Sequence, residues 1–121
     1  MTEEARETEA TAVKSMPSST TKVLQFENGT ALGMSHRWNG GQYCSILTAA
    51  GIVGCGSYSI STPTEFGQAI AIAKGTPQEP LTYPEDLLNA KIVDCTPQAQ
   101  KIGIKTGMTG REAVELMLQA S

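Results

Sequence analysis

From Lys22 onward, hydrophobic and polar residues alternate with a period of two. Val23-Leu24-Gln25-Phe26-Glu27 reads as a strand, and Asn28-Gly29 behind it tolerates the positive φ of a two-residue hairpin turn. A second strand over 30–38 places Leu32, Met34, His36 and Trp38 on one face and Ala31, Gly33, Ser35 and Arg37 on the other. Asn39-Gly40-Gly41 turns the chain again. A third strand over 42–48 sets Tyr43, Ser45 and Leu47 opposite Cys44 and Ile46, and Ala50-Gly51 leads into a fourth at 52–55. Consecutive strands joined by short turns predict an antiparallel meander.

The second half follows a different rule. Ser61-Thr62 before Pro63 and Gly67 after Phe66 bracket a short helical turn, since hydroxyl residues cap helix starts and glycine ends them. Ala69-Ile70-Ala71-Ile72-Ala73 is apolar on both faces, the pattern of a strand buried inside a sheet. Residues 75–80 form a loop. Thr82 and Glu85 have capping-box spacing and predict a short helix near 83–90, and 91–95 a brief strand. Thr96-Pro97 opens another short helix that Gly103 closes; Thr109 and Glu112 repeat the capping box before a last helix. Ala113, Val114, Met117 and Leu118 of that helix make one packing stripe. The prediction is an α+β two-layer sandwich: an antiparallel β-meander, then mixed strands and short helices, with the C-terminal helix packed on the sheet.

Length and composition narrow the classes. The 121 residues, 40% hydrophobic, fit one domain. Residues 1–21 are charged or small, with Val13 and Met16 as their large apolar side chains, and are expected to form a disordered tail before a single domain over 22–121. With 9 basic against 12 acidic residues there is no excess positive charge for a phosphate backbone or an anionic bilayer, so neither nucleic acid nor membrane is expected as a partner. No stretch is long and apolar enough to span a bilayer, and the acidic start lacks secretory features, so a cytoplasmic location is expected. The 3 cysteines are expected as reduced thiols.

The segment Gly103-Ile104-Lys105-Thr106-Gly107-Met108-Thr109-Gly110-Arg111-Glu112-Ala113 closely resembles the C-terminal signature of the YunC-like family of small uncharacterised bacterial and archaeal proteins. Gly54-Cys55-Gly56, Phe66-Gly67 with the Ala-rich strand, and Asp86-Leu87-Leu88-Asn89-Ala90-Lys91-Ile92 fit the same family in the same order. The similarity covers roughly residues 22–118. It implies a compact α+β domain and no particular activity. Tyr58-Ser59-Ile60-Ser61-Thr62-Pro63 departs from the family, which usually looks helical there; that helix is expected to be shortened.

Three candidates carry chemistry. Cys55, between two glycines and ahead of a helical turn, has the open backbone and the nearby helix N-terminus that favour a thiolate; its competing reading is a small buried side chain in a strand. His36 is the one histidine. A two-residue loop at 39–40 sets it opposite Tyr43, whereas a three-residue loop sets it opposite Cys44 as a base for a thiol; otherwise it is a packing residue beside Leu32, Met34 and Trp38. Lys105, Gly107, Thr109, Gly110 and Arg111 surround a helix start and suit a small anionic ligand, although the cap itself would occupy two donors. Asn28-Gly29-Thr30 reads as a hairpin turn rather than a glycosylation acceptor. No close Cys or His pair suggests a metal, and no cofactor is implied.

Two functions follow. The first is a homo-oligomeric binding or regulatory domain, because a one-sided meander leaves apolar surface near Trp38 and Met34 for a second copy. The alternative is a small enzyme or sulfur-handling protein using Cys55 with His36 or with the loop 105–111.

Overall fold

The computed structural model describes residues 16–121. Six strands form one sheet whose order is the order of the chain: β1 (Ser18–Phe26), β2 (Gly29–Trp38), β3 (Gly41–Leu47), β4 (Gly51–Gly54), β5 (Ala69–Lys74) and β6 (Lys91–Cys95). The pairs β1–β2, β2–β3, β3–β4 and β5–β6 are antiparallel, while β4 and β5 are parallel. That parallel pair requires a crossover, which carries α1 (Ser61–Glu65). A 3-10 helix (Pro84–Leu88), α2 (Pro97–Ile102) and α3 (Gly110–Ala120) complete the α+β fold.

The helical layer covers the face of the sheet that carries the smaller side chains. Ala31, Cys44, Val53 and Ala71 are fully or almost fully buried there, against Leu87, Val114 and Met117. Small strand residues let the second layer approach closely: a Cβ on Gly33 would lie 2.8 Å from Pro84 of the 3-10 helix. The opposite face of β1–β3 holds larger apolar groups and stays open. Val23 is 59% exposed, Trp38 49% and Leu32 39%.

Several boundaries differ from the expectation. β1 begins at Ser18, inside the segment expected to be tail, because β2 is ten residues long and pairs back as far as Arg37 with Ser18. The remainder of that segment, 1–15, lies outside the described residues. The first hairpin turns at Glu27 and Asn28, with Gly29 (φ 146°) paired to Phe26, one residue earlier than the Asn-Gly signal suggests. α1 starts at Ser61 instead of Pro63, and its five residues fit the expected shortening. In the 3-10 helix Asp86, and not Glu85, closes the cap: its carboxylate accepts from the N–H groups of Thr82 (3.1 Å) and Tyr83 (2.9 Å). The Thr82 hydroxyl accepts from Gln42 instead, and Glu85 pairs with Lys22.

Candidate functional site

Cys55 follows β4 and opens a tight turn in which the Tyr58 N–H donates to the Cys55 carbonyl at 3.1 Å. A residue in that first turn position directs its side chain back at the N–H two residues on, as Asx and Ser/Thr turns do. Ser57 holds that place here, and its N–H and hydroxyl both act to lower the Cys55 pKa. A further neighbour comes from across the sheet. The pairing of Leu47 with Ile52 continues through Ser45 and Gly54 to bring Cys44 opposite Cys55, and the Cys55 N–H donates to the Cys44 carbonyl at 3.1 Å. Both side chains are buried in the same core, which sets the Cys44 thiol beside that of Cys55.

The two thiols therefore ionise in opposite senses. Hydrogen bonding from Cys44, helped by Ser57, pulls Cys55 down to about 5 in spite of its burial. The same bond pushes Cys44 up, because its proton is held by its neighbour, and burial adds to this. Cys95, apart from the pair, is raised by burial. The causes of the shift lie in the turn of Cys55 itself and in the facing strand, while the helix expected to favour the thiolate is a single turn that begins only at Ser61.

Cys55 is 5% exposed, and that sliver opens into a cavity of about 250 Å3. Gln42, Gly56, Ser57 and the 75–81 loop form its walls. The loop is fastened over the end of β3 by Gln42, whose amide donates to the Leu81 carbonyl (3.2 Å) and to the Thr82 hydroxyl (2.9 Å). Ser35 adds a bond to the Thr82 carbonyl at 2.9 Å. Gly56 leaves open space where a side chain would otherwise stand. A larger cavity of about 550 Å3, between 47–52, 67–70 and one side of α2, contains no thiol or carboxylate among its lining residues.

His36 is not part of this site. The two-residue loop at 39–40 sets it opposite Tyr43, and the alternation of β2 and β3 puts it on the face away from Cys44. Its Nδ1 shares a 2.9 Å hydrogen bond with the Ser19 hydroxyl, and its ring stacks at 4.8 Å on Tyr43. Tyr43 in turn meets Tyr58 edge-on at 5.6 Å. The residue opposite Cys55 is another cysteine, and the structure does not bring His36 to it.

The loop 105–111 directs its donors into the fold. The N–H groups of Gly107 and Gly110 bond the carbonyls of Ile92 (2.7 Å) and Ala90 (2.9 Å), and that of Met108 reaches Lys105. Thr109 donates from both N–H and hydroxyl to the Glu112 carboxylate, and the Thr109 hydroxyl accepts from the Glu112 N–H. The Arg111 guanidinium lies 5.7 Å from the centre of the Phe26 ring. An anion here would have to displace these bonds and meet the charge of Glu112. Among the described residues, no three His, Cys, Asp or Glu side chains converge on a point where a metal would sit. No helix there is long and apolar enough to cross a membrane.

The chain is similar in structure to a protein of unknown function from Thermoplasma acidophilum. The TM-score is 0.74 at 19% identity, covering 84% of this chain and 94% of that one, a likeness that shows the fold. No curated protein matches the sequence. A family model described as a domain of unknown function, DUF1805, matches residues 54–117, from the glycine before Cys55 to the core methionine of α3. That span is more than half of the 121 residues, takes in both glycine-flanked segments and agrees with the YunC-like resemblance; the chain belongs to the DUF1805 family.

Proposed function

We propose that this domain is a small sulfur-chemistry module in which Cys55, held as a thiolate, attacks or captures a small electrophile that enters the cavity beneath the 75–81 loop. The observation that carries this reading is the pairing of Cys55 with Cys44 across the ladder, with Cys55 and Ser57 together at the edge of that cavity; both neighbours lower the Cys55 pKa. Donors aimed at a sulfur stabilise the charged nucleophile, and it is the thiolate that reacts.

The test is the pH dependence of alkylation by iodoacetamide in the folded protein. The midpoint, and not the absolute rate, is diagnostic. A thiolate of lower pKa is more abundant near neutrality but intrinsically less nucleophilic, with a Brønsted slope of about 0.4–0.5, so the two effects nearly cancel. The expected midpoint for Cys55 is near pH 5. A midpoint near the ordinary thiol value of about 8.5 would remove the nucleophile and with it the proposal.

A second reading, self-association as a binding or regulatory domain, is favoured by the open face. Val23, Leu32, Trp38 and Leu47 are all more than a third exposed on it, and β1 is an edge strand of nine residues. Sedimentation across a dilution series checks this: an oligomer that Trp38→Glu dissociates supports it, and a monomer at every concentration discards it.

A further inference from the structure

We infer that Cys44 and Cys55 are a two-electron redox couple in which Cys55 takes oxidation from a small hydroperoxide and Cys44 resolves it as an intramolecular disulfide between β3 and the end of β4. This rests on the reading of Cys55 as the reactive thiol, and it adds a second cysteine, a substrate class and a product.

The geometry for the bond already exists. Directly opposed residues of a hydrogen-bonded antiparallel pair have Cα atoms about 5.5 Å apart, inside the range of about 4.4–6.8 Å that disulfides span. Cys44 and Cys55 continue the β3–β4 ladder, share the 3.1 Å backbone bond and point into the same face of the sheet. The two thiols thus face each other across one pair of strands, and the disulfide would close between residues that the ladder already holds together. Cys95 is held elsewhere, its thiol directed at the Ile104 carbonyl at 3.9 Å.

Access decides which thiol reacts first and with what. Cys44 is 0% exposed and Cys55 5%, so an oxidant meets Cys55 alone, and only one small enough for the cavity reaches it. Ser57 and Thr76 line that space with hydroxyl groups. In the first step the Cys55 thiolate attacks one peroxide oxygen: a sulfur–oxygen bond forms and the oxygen–oxygen bond breaks. The far oxygen leaves as hydroxide or alkoxide, the sulfur having given up two electrons to the peroxide. In the second step the hydroxide or alkoxide released in the first takes the Cys44 proton, and the Cys44 thiolate attacks the sulfenic sulfur of Cys55. The sulfur–sulfur bond forms, the sulfur–hydroxyl bond breaks, and hydroxide leaves. A small dithiol reductant returns the pair to thiols by two exchange steps.

The experiment treats the reduced full-length chain with stoichiometric hydrogen peroxide near neutral pH and reads intact mass and a peptide map. The expected result is the loss of two hydrogens, a Cys44–Cys55 linked peptide, an unmodified Cys95, and full reversal by dithiothreitol. Cys44→Ser should stop at a single added oxygen on Cys55 that a dimedone-type trap captures, and Cys55→Ser should leave Cys44 unoxidised. Oxygen accumulating on Cys55 of the unsubstituted chain with no disulfide would overturn the inference, as would a linkage to Cys95. If the disulfide fails while alkylation still titrates near pH 5, the couple is wrong and the thiolate reading stands; if both fail, neither does.

Discussion

Two segments of this domain look alike on paper and behave differently in space. The turn at 54–58 and the loop at 105–111 are each rich in glycine, backbone donors and hydroxyl groups. In the terminal loop every glycine N–H next to the helix start bonds a main-chain carbonyl of the neighbouring segment, and the capping residue is closed by its own glutamate. In the turn Ser57 lies beside Cys55 at the edge of a cavity, and its N–H and hydroxyl act on the thiol's pKa. The difference teaches that unpaired donors in a sequence indicate a site only when the rest of the fold leaves them unused. Where a neighbouring strand or cap takes them, the same residues are a clasp.

Substitutions can break this contrast. The largest effect is expected at Gly110, where a Cβ would run into the Leu87 carbonyl. Gly110→Ala should destabilise the domain by about 3 kcal/mol or more, read as a fall in the thermal midpoint, because backbone rather than a flexible side chain would have to move. On the strand facing the turn, a substitution should alter chemistry more than stability. Cys44→Ala removes the strongest donor to Cys55 and should raise the alkylation midpoint by about one pH unit or more, each unit being about 1.4 kcal/mol. A midpoint still near 5 would transfer the credit to Ser57.

Linkage gives the same contrast as stability. The Cys55 pKa is lower in the folded state, so its contribution is fully present above the ordinary thiol value of about 8.5 and is lost as pH falls through about 5. The stability difference between the unsubstituted chain and Cys55→Ser, measured by urea unfolding, should therefore widen from pH 5 to pH 8 or so. Cys44, shifted upward, adds no slope in that window. The smallest effect is expected at Lys105, an exposed residue of the clasp. Lys105→Ala should change stability by less than about 0.5 kcal/mol and leave the response to added phosphate or sulfate as it was. A selective loss of phosphate-induced stabilisation would mean that the clasp binds an anion after all.

Much of the architecture was legible in the chain. Period-two alternation with Asn-Gly turns marked β1 to β4, the unbroken Ala/Ile run marked the buried β5, and Thr96, Thr109 and Gly103 stand at the helix caps where the spacing puts them. These signals are local, set by side-chain direction and backbone sterics within a few residues. The sequence also narrowed the hairpin at 39–40 to two registers, each with its own partner for His36. The structure selected the one that faces Tyr43.

What the sequence alone determined, then, was the identity and extent of most elements and a short roster of reactive groups. Tertiary structure decided which of those groups meet. Cys44 and Cys55 lie on neighbouring predicted strands, and counting outward from Leu47 opposite Ile52 would have paired them, but only a fixed register makes that count possible. The covered face of the sheet was undecidable in the same way: β2 offers larger apolar residues on the side the helices leave open, and the close approach of Pro84 to Gly33 puts the helical layer on the other. Register and layer choice are settled by contacts between residues far apart in the chain, which no local pattern encodes.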